Sequence, residues 1–515
     1  MRLLTKNEMK AVEANADKFG LSYHRMMENA GAACARNIKS IIEKEGIRKR
    51  NIVVVCGNGN NGGDGFVIAR KFAENGYNVC VLITSGYPRS EESSYMFKMV
   101  LDMSIPTVWF EADKEKALKT VHNAEVIVDA VFGFSFYGEL PSSLLELFAE
   151  MNNSEALKFS VDLPSGVYCD SGYMDKNAFT ADYTIAISSL KPCHIIEPAA
   201  SCCGSIIIAN IGIPEECYDL TEKTLYTLSK NEVDNLLMQR DPVSHKGTYG
   251  HLLSICGSKK MPGAAFLSAK SALRSGVGLV TAAFPDSIYT TMSIKLNEAL
   301  LLPLEETESG ILSKASVEEL NNELHKFSAI LIGCGLSVNE DTEAIVEFIL
   351  KSSKVPVVLD ADAINIIAQR PDLLKEVNCP VILTPHPKEM SRLCGLSVEE
   401  VQANRVKCAT DFSREYGVTV VLKGSNTIVF GKGSSRAYIN ATGNSGLAKG
   451  GSGDVLSGII ASFLAQGIHP VTAATTGVYI HGRCADNVAD RMSQTGMLPT
   501  DVIDELANIF GEFDR

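Results

Sequence analysis

Residues 443–454 read GNSGLAKGGSGD and run straight into the apolar helical pattern VLSGIIASFLAQG. The first N–H groups of a helix lack internal partners, and with the helix dipole they form a site for anions. Gly450, Gly451 and Gly453 let the backbone turn its amides inward with no side chain in the way. Asp454, at that same junction, would be repelled by a phosphate if it had no chemical part. It stands where an acid takes the proton of a hydroxyl that attacks phosphorus. A glycine-rich turn capped by an aspartate would use the same letters without any chemistry.

A second glycine-dense stretch, GNGNNGGDG, follows the apolar run NIVVVC. Asn58, Asn60, Asn61 and Asp64 give short polar groups where glycines permit close approach, which suits a phosphate-bearing ligand. It is not a GxGxxG dinucleotide fingerprint. Asp129 and Asp162 each close an apolar strand, and an unpaired carboxylate there is costly to bury. A hard cation bridging Asn61, Asp129 and Ser165 would supply the partner with oxygen ligands alone. The alternative is that both acids cap the turns that follow. Tyr183 and Lys191 either line the same crevice or pack on the sheet.

These residues need elements to hold them. Short β-branched runs (NIVVVC, NVCVLIT, TVWF, EVIVDA, KFSVDLPSG) alternate with helix-length segments, the pattern of a parallel sheet wound with helices. Ligands of such sheets gather at the carboxyl ends of the strands, where Asn58, Asp129 and Asp162 stand. A separate series begins at HLLSICG and continues through GLVTAAF, SAILIGCG, PVVLDADAIN, PVILTPHPKEM and VTVVLKGSNTIVF, with helices at 264–275 and after Gly453. A polar stretch separates the series, so two α/β domains are expected, 1–222 and 223–515, as 515 residues also suggest.

Composition narrows the function. With 45% hydrophobic and 21% charged residues the chain reads as globular, and no apolar run approaches the ~18 residues of a membrane span. The start is charged and resembles no secretory signal, so a cytoplasmic location is expected. Fourteen scattered cysteines without CxxC pairs read as buried thiols, and nine histidines without HExxH give no zinc site. A net charge of −13 disfavours nucleic acid, and the basic cluster Arg48, Lys49, Arg50 reads as a solvated helix end.

The pieces NNGGDG, VDAVFGFSFYGE, VDLPSG and ADYTIAISSLKP, with TKNEMKAVEANA and MMENAG before them, resemble the NAD(P)H-hydrate epimerase domain. The resemblance implies a Rossmann-like domain in which Asn60, Asn61, Gly62, Gly63, Asp64, Gly133, Phe134, Ser135, Phe136, Tyr137, Gly138, Glu139 and Asp162 contact the damaged nucleotide. Asn61, Asp129 and Ser165 would hold potassium. The stretch Lys191, Pro192, Cys193, His194 departs from the family, which has glycine shortly after the lysine.

The second half is similar to the ADP/ATP-dependent NAD(P)H-hydrate dehydratase of the ribokinase-like fold, through KGTYGHLLSICGS, MPGAAFLSAKSALRSGVGLVT, LIGCGL, VVLDADAIN, LTPHPKEM, VLKGSNTIV and NATGNSGLAKGGSGDVLSG. It implies that Ala264, Gly335, His386 and Asp454 meet the nucleotide hydrate. Lys423, Gly424, Ser425, Asn426 and Thr427 would hold ADP with its Mg2+, together with Asn444, Ser445, Gly446, Leu447, Ala448, Lys449, Gly450, Gly451, Ser452 and Gly453. Lys388 stands where the family has glycine, and Lys449 occupies a usually small position, either adding to anion binding or facing solvent. From the residues alone, His386 between two prolines reads first as a histidine held by the prolines and satisfied by backbone.

The implied chemistry is nicotinamide nucleotide repair. Asp162 carries the proton in exchanging the R and S hydrates, and Asp454 activates the hydroxyl of the S form so that ADP becomes AMP and phosphate as NAD(P)H is restored. Expected partners are NADHX, NADPHX and ADP, with no nucleic acid, no membrane and a homo-oligomeric assembly. Two rivals are a ribokinase-like small-molecule kinase with a regulatory first half, and a binding protein whose first half engages another protein without catalysis.

Overall fold

A computed structural model describes residues 1–46, 51–221, 224–237 and 240–513. Two compact units are present, Met1–Leu225 and Tyr226–Arg515. The expected boundary at residue 222 and the cluster Arg48, Lys49, Arg50 lie outside the described residues.

The first unit opens with the short strand β1 (Arg2–Leu3) and two helices, α1 (Lys6–Lys18) and α2 (Tyr23–Lys44). Thr5 and Glu8 form a reciprocal capping box that fixes where α1 starts, so Met9, Val12 and Ala16 fall on its buried face. Its sheet comprises β2 (Asn51–Cys56), β3 (Asn78–Ile83), β4 (Thr107–Trp109), β5 (Val126–Ala130), β6 (Leu157–Val161), β7 (Tyr183–Ile187) and β8 (Ser205–Ala209). Their order is β4-β3-β2-β5-β6-β7-β8, every pairing parallel. Strand order reverses between β2 and β5, and at such a switch point the loops diverge and leave a crevice.

Helix α3 (Asn60–Glu74) begins inside the stretch that reads as a loop in the sequence, so only 57–59 form the turn after β2. The glycines serve helix-to-sheet contact. A Cβ on Gly62 would lie 1.9 Å from the Gly57 carbonyl oxygen, and one on Gly65 would lie 2.7 Å from Cys56 Sγ. Close approach there is of backbone to backbone within the chain.

A short strand β9 (Leu225–Tyr226) stands at the junction of the units. The second unit contains β10 (His251–Ile255), β11 (Leu279–Pro285), β12 (Leu300–Leu304), β13 (Ala329–Ile332), β14 (Val357–Leu359), β15 (Val381–Leu383), β16 (Thr419–Leu422), β17 (Ile428–Phe430) and β18 (Ala437–Ile439). Their order is β18-β17-β16-β15-β14-β13-β10-β11-β12, parallel from β12 through β16 and antiparallel at β17 and β18. The reversal falls between β10 and β13, where Gly257 N–H donates to the Cys334 carbonyl at 2.8 Å.

The helix Ser452–Ala465 is buried over nearly its whole length, as the apolar run after Asp454 requires. It presses against the helix Pro262–Arg274 so closely that a Cβ on Gly458 would lie 2.1 Å from Ser271 Oγ. Its N-cap is Gly451, at φ 97 and without a side-chain cap, so Asp454 sits inside the first turn. All fourteen cysteines are free, and all but Cys80 and Cys394 are buried. Among the described residues no helix is long and apolar enough to cross a membrane.

Candidate active sites

At the switch point of the first unit lies a cavity of about 650 Å3. Asn60, Asn61 and Asp64 border it from α3, Gly133 to Tyr137 and Glu139 from the loop after β5, and Asp162 and Lys191 from the ends of β6 and β7. Gly62, Gly63 and Gly138 do not line it. Gly63 instead packs where a Cβ would meet Met27 Sδ at 2.5 Å. Gly138 is gripped by Tyr168, whose hydroxyl accepts its N–H at 2.8 Å and donates to its carbonyl at 2.9 Å.

Asp162 is buried at φ 68, a left-handed backbone that an aspartate adopts only when its surroundings hold it there. Its carboxylate pairs with the buried ammonium of Lys191 and accepts the Ile187 N–H at 3.1 Å. Lys191 also donates to the Ile187 carbonyl at 2.7 Å. Burial is the largest influence and pulls the Lys191 pKa down, yet the Asp162 charge and hydrogen bond, with Cys169 and Cys193 nearby, together outweigh it and the net shift is upward. His194 ties the two together. Its Nδ1 accepts the Lys191 N–H at 3.0 Å, which fixes the tautomer, so Nε2–H donates to the Asp162 carbonyl at 2.8 Å. Burial, then the nearby Lys191 charge, lower the His194 pKa to about 4, so the ring is neutral.

Glu13, on the cavity wall from α1, is pushed up to about 7 by burial and then by the Asp162 charge. Asp64 is raised well above the carboxylate range by burial and by Asp162 and Glu13. Glu13, Asp64 and Asp162 therefore face the Lys191 ammonium in one pocket, which has proton-carrying capacity near neutral pH. Tyr183 packs on the sheet, stacked on Phe159 with ring centroids 5.5 Å apart.

Below this pocket Asp129 is fully buried and accepts Ser165 Oγ at 2.6 Å, Ser165 N–H at 2.8 Å and Val131 N–H at 3.2 Å. Burial raises its pKa to about 6. Asn61 lies against Gly133, and its buried Nδ2 has no hydrogen-bond partner. The oxygens of the Asp129 carboxylate, the Ser165 hydroxyl and the Asn61 amide are of the kind a hard monovalent cation takes, whereas the unpaired Nδ2 is a donor and calls for an acceptor.

In the second unit, Asp360 at the end of β14 is buried and accepts four donors. Lys423 Nζ at 2.8 Å and Thr384 Oγ1 at 2.7 Å reach one oxygen, Ser457 Oγ at 2.7 Å and the Cys334 thiol at 3.6 Å the other. Burial acts against its ionisation, but Lys423 and these donors hold its pKa below the usual range. Asp454, Asp360 and Cys334 present ligand atoms within 4.8 Å of one another. Burial and then the Asp360 charge lift Asp454 to about 6. An acid with that affinity is ionised at pH 7 and still takes a proton readily.

The 423–427 loop and the 444–453 turn meet here, since a Cβ on Gly453 would stand 3.3 Å from Lys423 Nζ. Gly335 adjoins Ala264, with 2.7 Å from its absent Cβ to the Ala264 Cβ. Asp486 steadies the entry to the 444–453 turn by accepting Gly443 N–H at 2.9 Å and Asn444 Nδ2 at 3.0 Å. The Lys449 amine donates to the carbonyls of Thr495 at 2.7 Å and Met497 at 2.6 Å, so its charge is spent fastening the turn.

His386 caps the helix Pro387–Cys394, its Nδ1 accepting the N–H of Lys388 and Glu389 at 3.1 Å each. Its Nε2 faces Glu389 Oε1 at 3.3 Å. Burial raises buried Glu389 to about 7. The sequence reading lacked Glu13, His194, Asp360 and Glu389. Asp360 carried a usable signal, an acid closing an apolar strand as Asp129 and Asp162 do.

Comparisons with known proteins divide the chain in the same manner. Residues 252–508 match the family described as NAD(P)H-hydrate dehydratase, and 23–193 match the YjeF-related protein N-terminus. A bifunctional NAD(P)H-hydrate repair enzyme of Moorella thermoacetica is 34% identical, with 100% of this chain and 98% of that protein covered. Its counterpart in Escherichia coli is 32% identical over 96% and 91%. A ribokinase-like superfamily protein from Enterococcus faecalis superposes with a TM-score of 0.50 at 27% identity, covering 56% of this chain and 96% of that one. A Bacillus subtilis ADP/ATP-dependent NAD(P)H-hydrate dehydratase co-crystallized with ATP/Mg2+ is 32% identical over 56% and 98%, with a TM-score of 0.49.

Proposed function

Because the chain belongs to the family of bifunctional NAD(P)H-hydrate repair enzymes, we propose that its two units act in turn on the same lesion, with Asp162 and Asp454 as the acting acids. The substrate is a nicotinamide ring that has added water at C6, in the NADH or NADPH cofactor. The observation that carries this reading is that Asp454 combines a place in the first turn of a glycine-opened helix with a pKa raised to about 6.

In the second unit Asp454 takes the hydroxyl proton as that oxygen attacks the terminal phosphorus of ADP, releasing AMP. The phosphate then leaves C6 with its bonding pair, a proton leaves the neighbouring carbon, and the ring double bond returns. The 423–427 loop, the 444–453 turn and the first-turn amides of the Ser452–Ala465 helix hold the nucleotide, while Ala264, Gly335 and His386 face the hydrated ring. Asp360 keeps Lys423 in place and lifts the proton affinity of Asp454. The carboxylates of Asp360 and Asp454 are suitable neighbours for a Mg2+ carried by the diphosphate, which when bound neutralises phosphate charge.

In the first unit the hydrated ring enters the cavity, and Asp162, ion-paired with Lys191, moves the proton on the C6 hydroxyl so that the epimers exchange. Asn61, Asp129 and Ser165 would hold potassium beneath it, which supplies positive charge to the buried carboxylate. Epimerisation feeds the form that the second unit cannot use directly into repair.

The test follows recovery of reduced-cofactor absorbance from an epimeric mixture of NADHX with ADP, ATP or no nucleotide. Full recovery with nucleotide, half recovery in Asp162→Ala and none in Asp454→Asn are expected. A stable phosphorylated product with no recovery would overturn the reading.

A further inference from the structure

One half-buried cation in the second unit has no part in the chemistry above. Arg405 opens the helix Arg405–Tyr416, and its Nη2 donates to the carbonyls of Leu422 at 3.1 Å, Lys423 at 3.3 Å and Asn426 at 3.2 Å. Its Nη1 donates to Gln402 Oε1 at 2.9 Å. All four acceptors are neutral. Burial is the one influence lowering its pKa, and no acid among the described residues offsets it. A half-buried guanidinium facing only carbonyl dipoles is an unusual arrangement, since such a charge is normally neutralised.

We propose that Arg405 is a positioning residue for the nucleotide, holding the 423–427 loop in the shape that receives ADP. The inference rests on the reading above that this loop belongs to the nucleotide site. A trans peptide is planar and sets its C=O and N–H on opposite sides. Drawing the carbonyls of Lys423 and Asn426 onto one guanidinium therefore turns the amides of Gly424 and Thr427 the other way, as donors to an incoming anion or ribose oxygen. Gly424 belongs to the same device. A Cβ there would stand 2.5 Å from Arg405 Nη2, so a side chain at this position pushes the guanidinium off the carbonyls it gathers. The Lys423 backbone held in this way carries the amine that binds Asp360. Lysine in place of arginine reaches one carbonyl as a point donor and does not gather three.

The experiment uses the full-length enzyme with Arg405→Lys, Arg405→Met and Gly424→Ala. ADP binding is measured by calorimetry, NADHX dehydration by steady-state kinetics, and epimer exchange in each preparation without nucleotide. Loss of the charge-assisted bonds predicts a KM for ADP raised about tenfold or more in all three, with kcat little changed, epimer exchange as in wild type and the same loss in calorimetry. A KM for ADP equal to wild type in Arg405→Met, or a fall in kcat with KM unmoved, overturns the proposal. Should Arg405→Met not fold, Arg405→Lys is judged by the same two criteria. Wild-type enzyme that neither binds ADP nor dehydrates NADHX would overturn the functional reading itself. Wild type that does both while the variants match it overturns only the role of Arg405.

Discussion

Replacing His194 by leucine keeps the bulk of the ring and removes both of its hydrogen bonds. The Asp162 carbonyl and the Lys191 N–H then lie buried without partners. At about 1–3 kcal/mol for each stranded group, the first unit should lose about 2–6 kcal/mol. For a domain of this size that lowers its melting transition by roughly 5–20 °C. Asp162 also loses a tie that opposes its left-handed strain of about 1–3 kcal/mol, and relaxation displaces its carboxylate. A reacting group moved by about 1 Å costs about 100-fold in rate. Chromatographic exchange of the R and S hydrates without nucleotide should show a drop of that order in kcat, and His194→Gln, which can donate and accept from one amide, should recover much of it. The pH dependence has a definite sign. The His194 pKa falls from 6.5 unfolded to about 4 folded, so its contribution is present above pH 6.5 and is lost as pH falls through 4. At about 1.4 kcal/mol per pH unit, wild type should lose about 3 kcal/mol over that span through this ring, and His194→Leu should lack this slope. A leucine variant that melts as wild type does and exchanges epimers at an undiminished rate would refute the reasoning.

Three further outcomes are expected. Asp454→Asn should reduce ADP-dependent recovery of NADH by about 100- to 10,000-fold while epimer exchange is untouched, and the wild-type rate should fall as pH drops through about 6, where Asp454 takes up its proton. A rate flat from pH 5 to 8 would remove Asp454 from the role of base. Potassium should raise the melting transition and the exchange rate of the first unit relative to tetramethylammonium, and Asp129→Asn should abolish that difference; equal response in both proteins refutes the cation site. Gly62→Ala forces a methyl to 1.9 Å from the Gly57 carbonyl oxygen, so a loss of about 3 kcal/mol or more is expected by chemical denaturation, and a loss below about 1 kcal/mol would show that the turn yields.

Strand-ending acids were legible because their chemistry is local. Asp129 and Asp162 close apolar runs, and burial of a carboxylate demands a partner wherever it occurs. The partners were less legible. Lys191 stood in view, but its pairing with Asp162 depends on β6 and β7 being neighbours, which no spacing reveals. Glu13 sits on a helix whose charged sequence looks solvated, and only the capping box at Thr5 and the docking of Met9 and Val12 turn it into the cavity. The GNGNNGGDG stretch illustrates the opposite case. Its glycines read as loop by propensity, yet the helix starts at Asn60 because tight packing on Gly57 and Cys56 overrides the weak helical preference of glycine.

The two units solve the same electrostatic problem and put the answer to different use. In each, an aspartate ends a parallel strand and pairs with a lysine from the end of a strand later in the chain: Asp162 with Lys191, Asp360 with Lys423. A buried carboxylate needs this, since desolvation otherwise forces it to hold its proton. In the first unit the paired acid itself faces the cavity, ion-paired with Lys191, while Glu13 and Asp64 around it are raised. In the second unit the paired acid is the neighbour of the acting one. The Asp360 charge, secured by Lys423, is part of what lifts Asp454 to about 6. Lys423 therefore acts on Asp454 in two opposed ways, securing the Asp360 charge that raises it and lowering it by its own charge, so the lysine tunes a base with which it shares no ion pair.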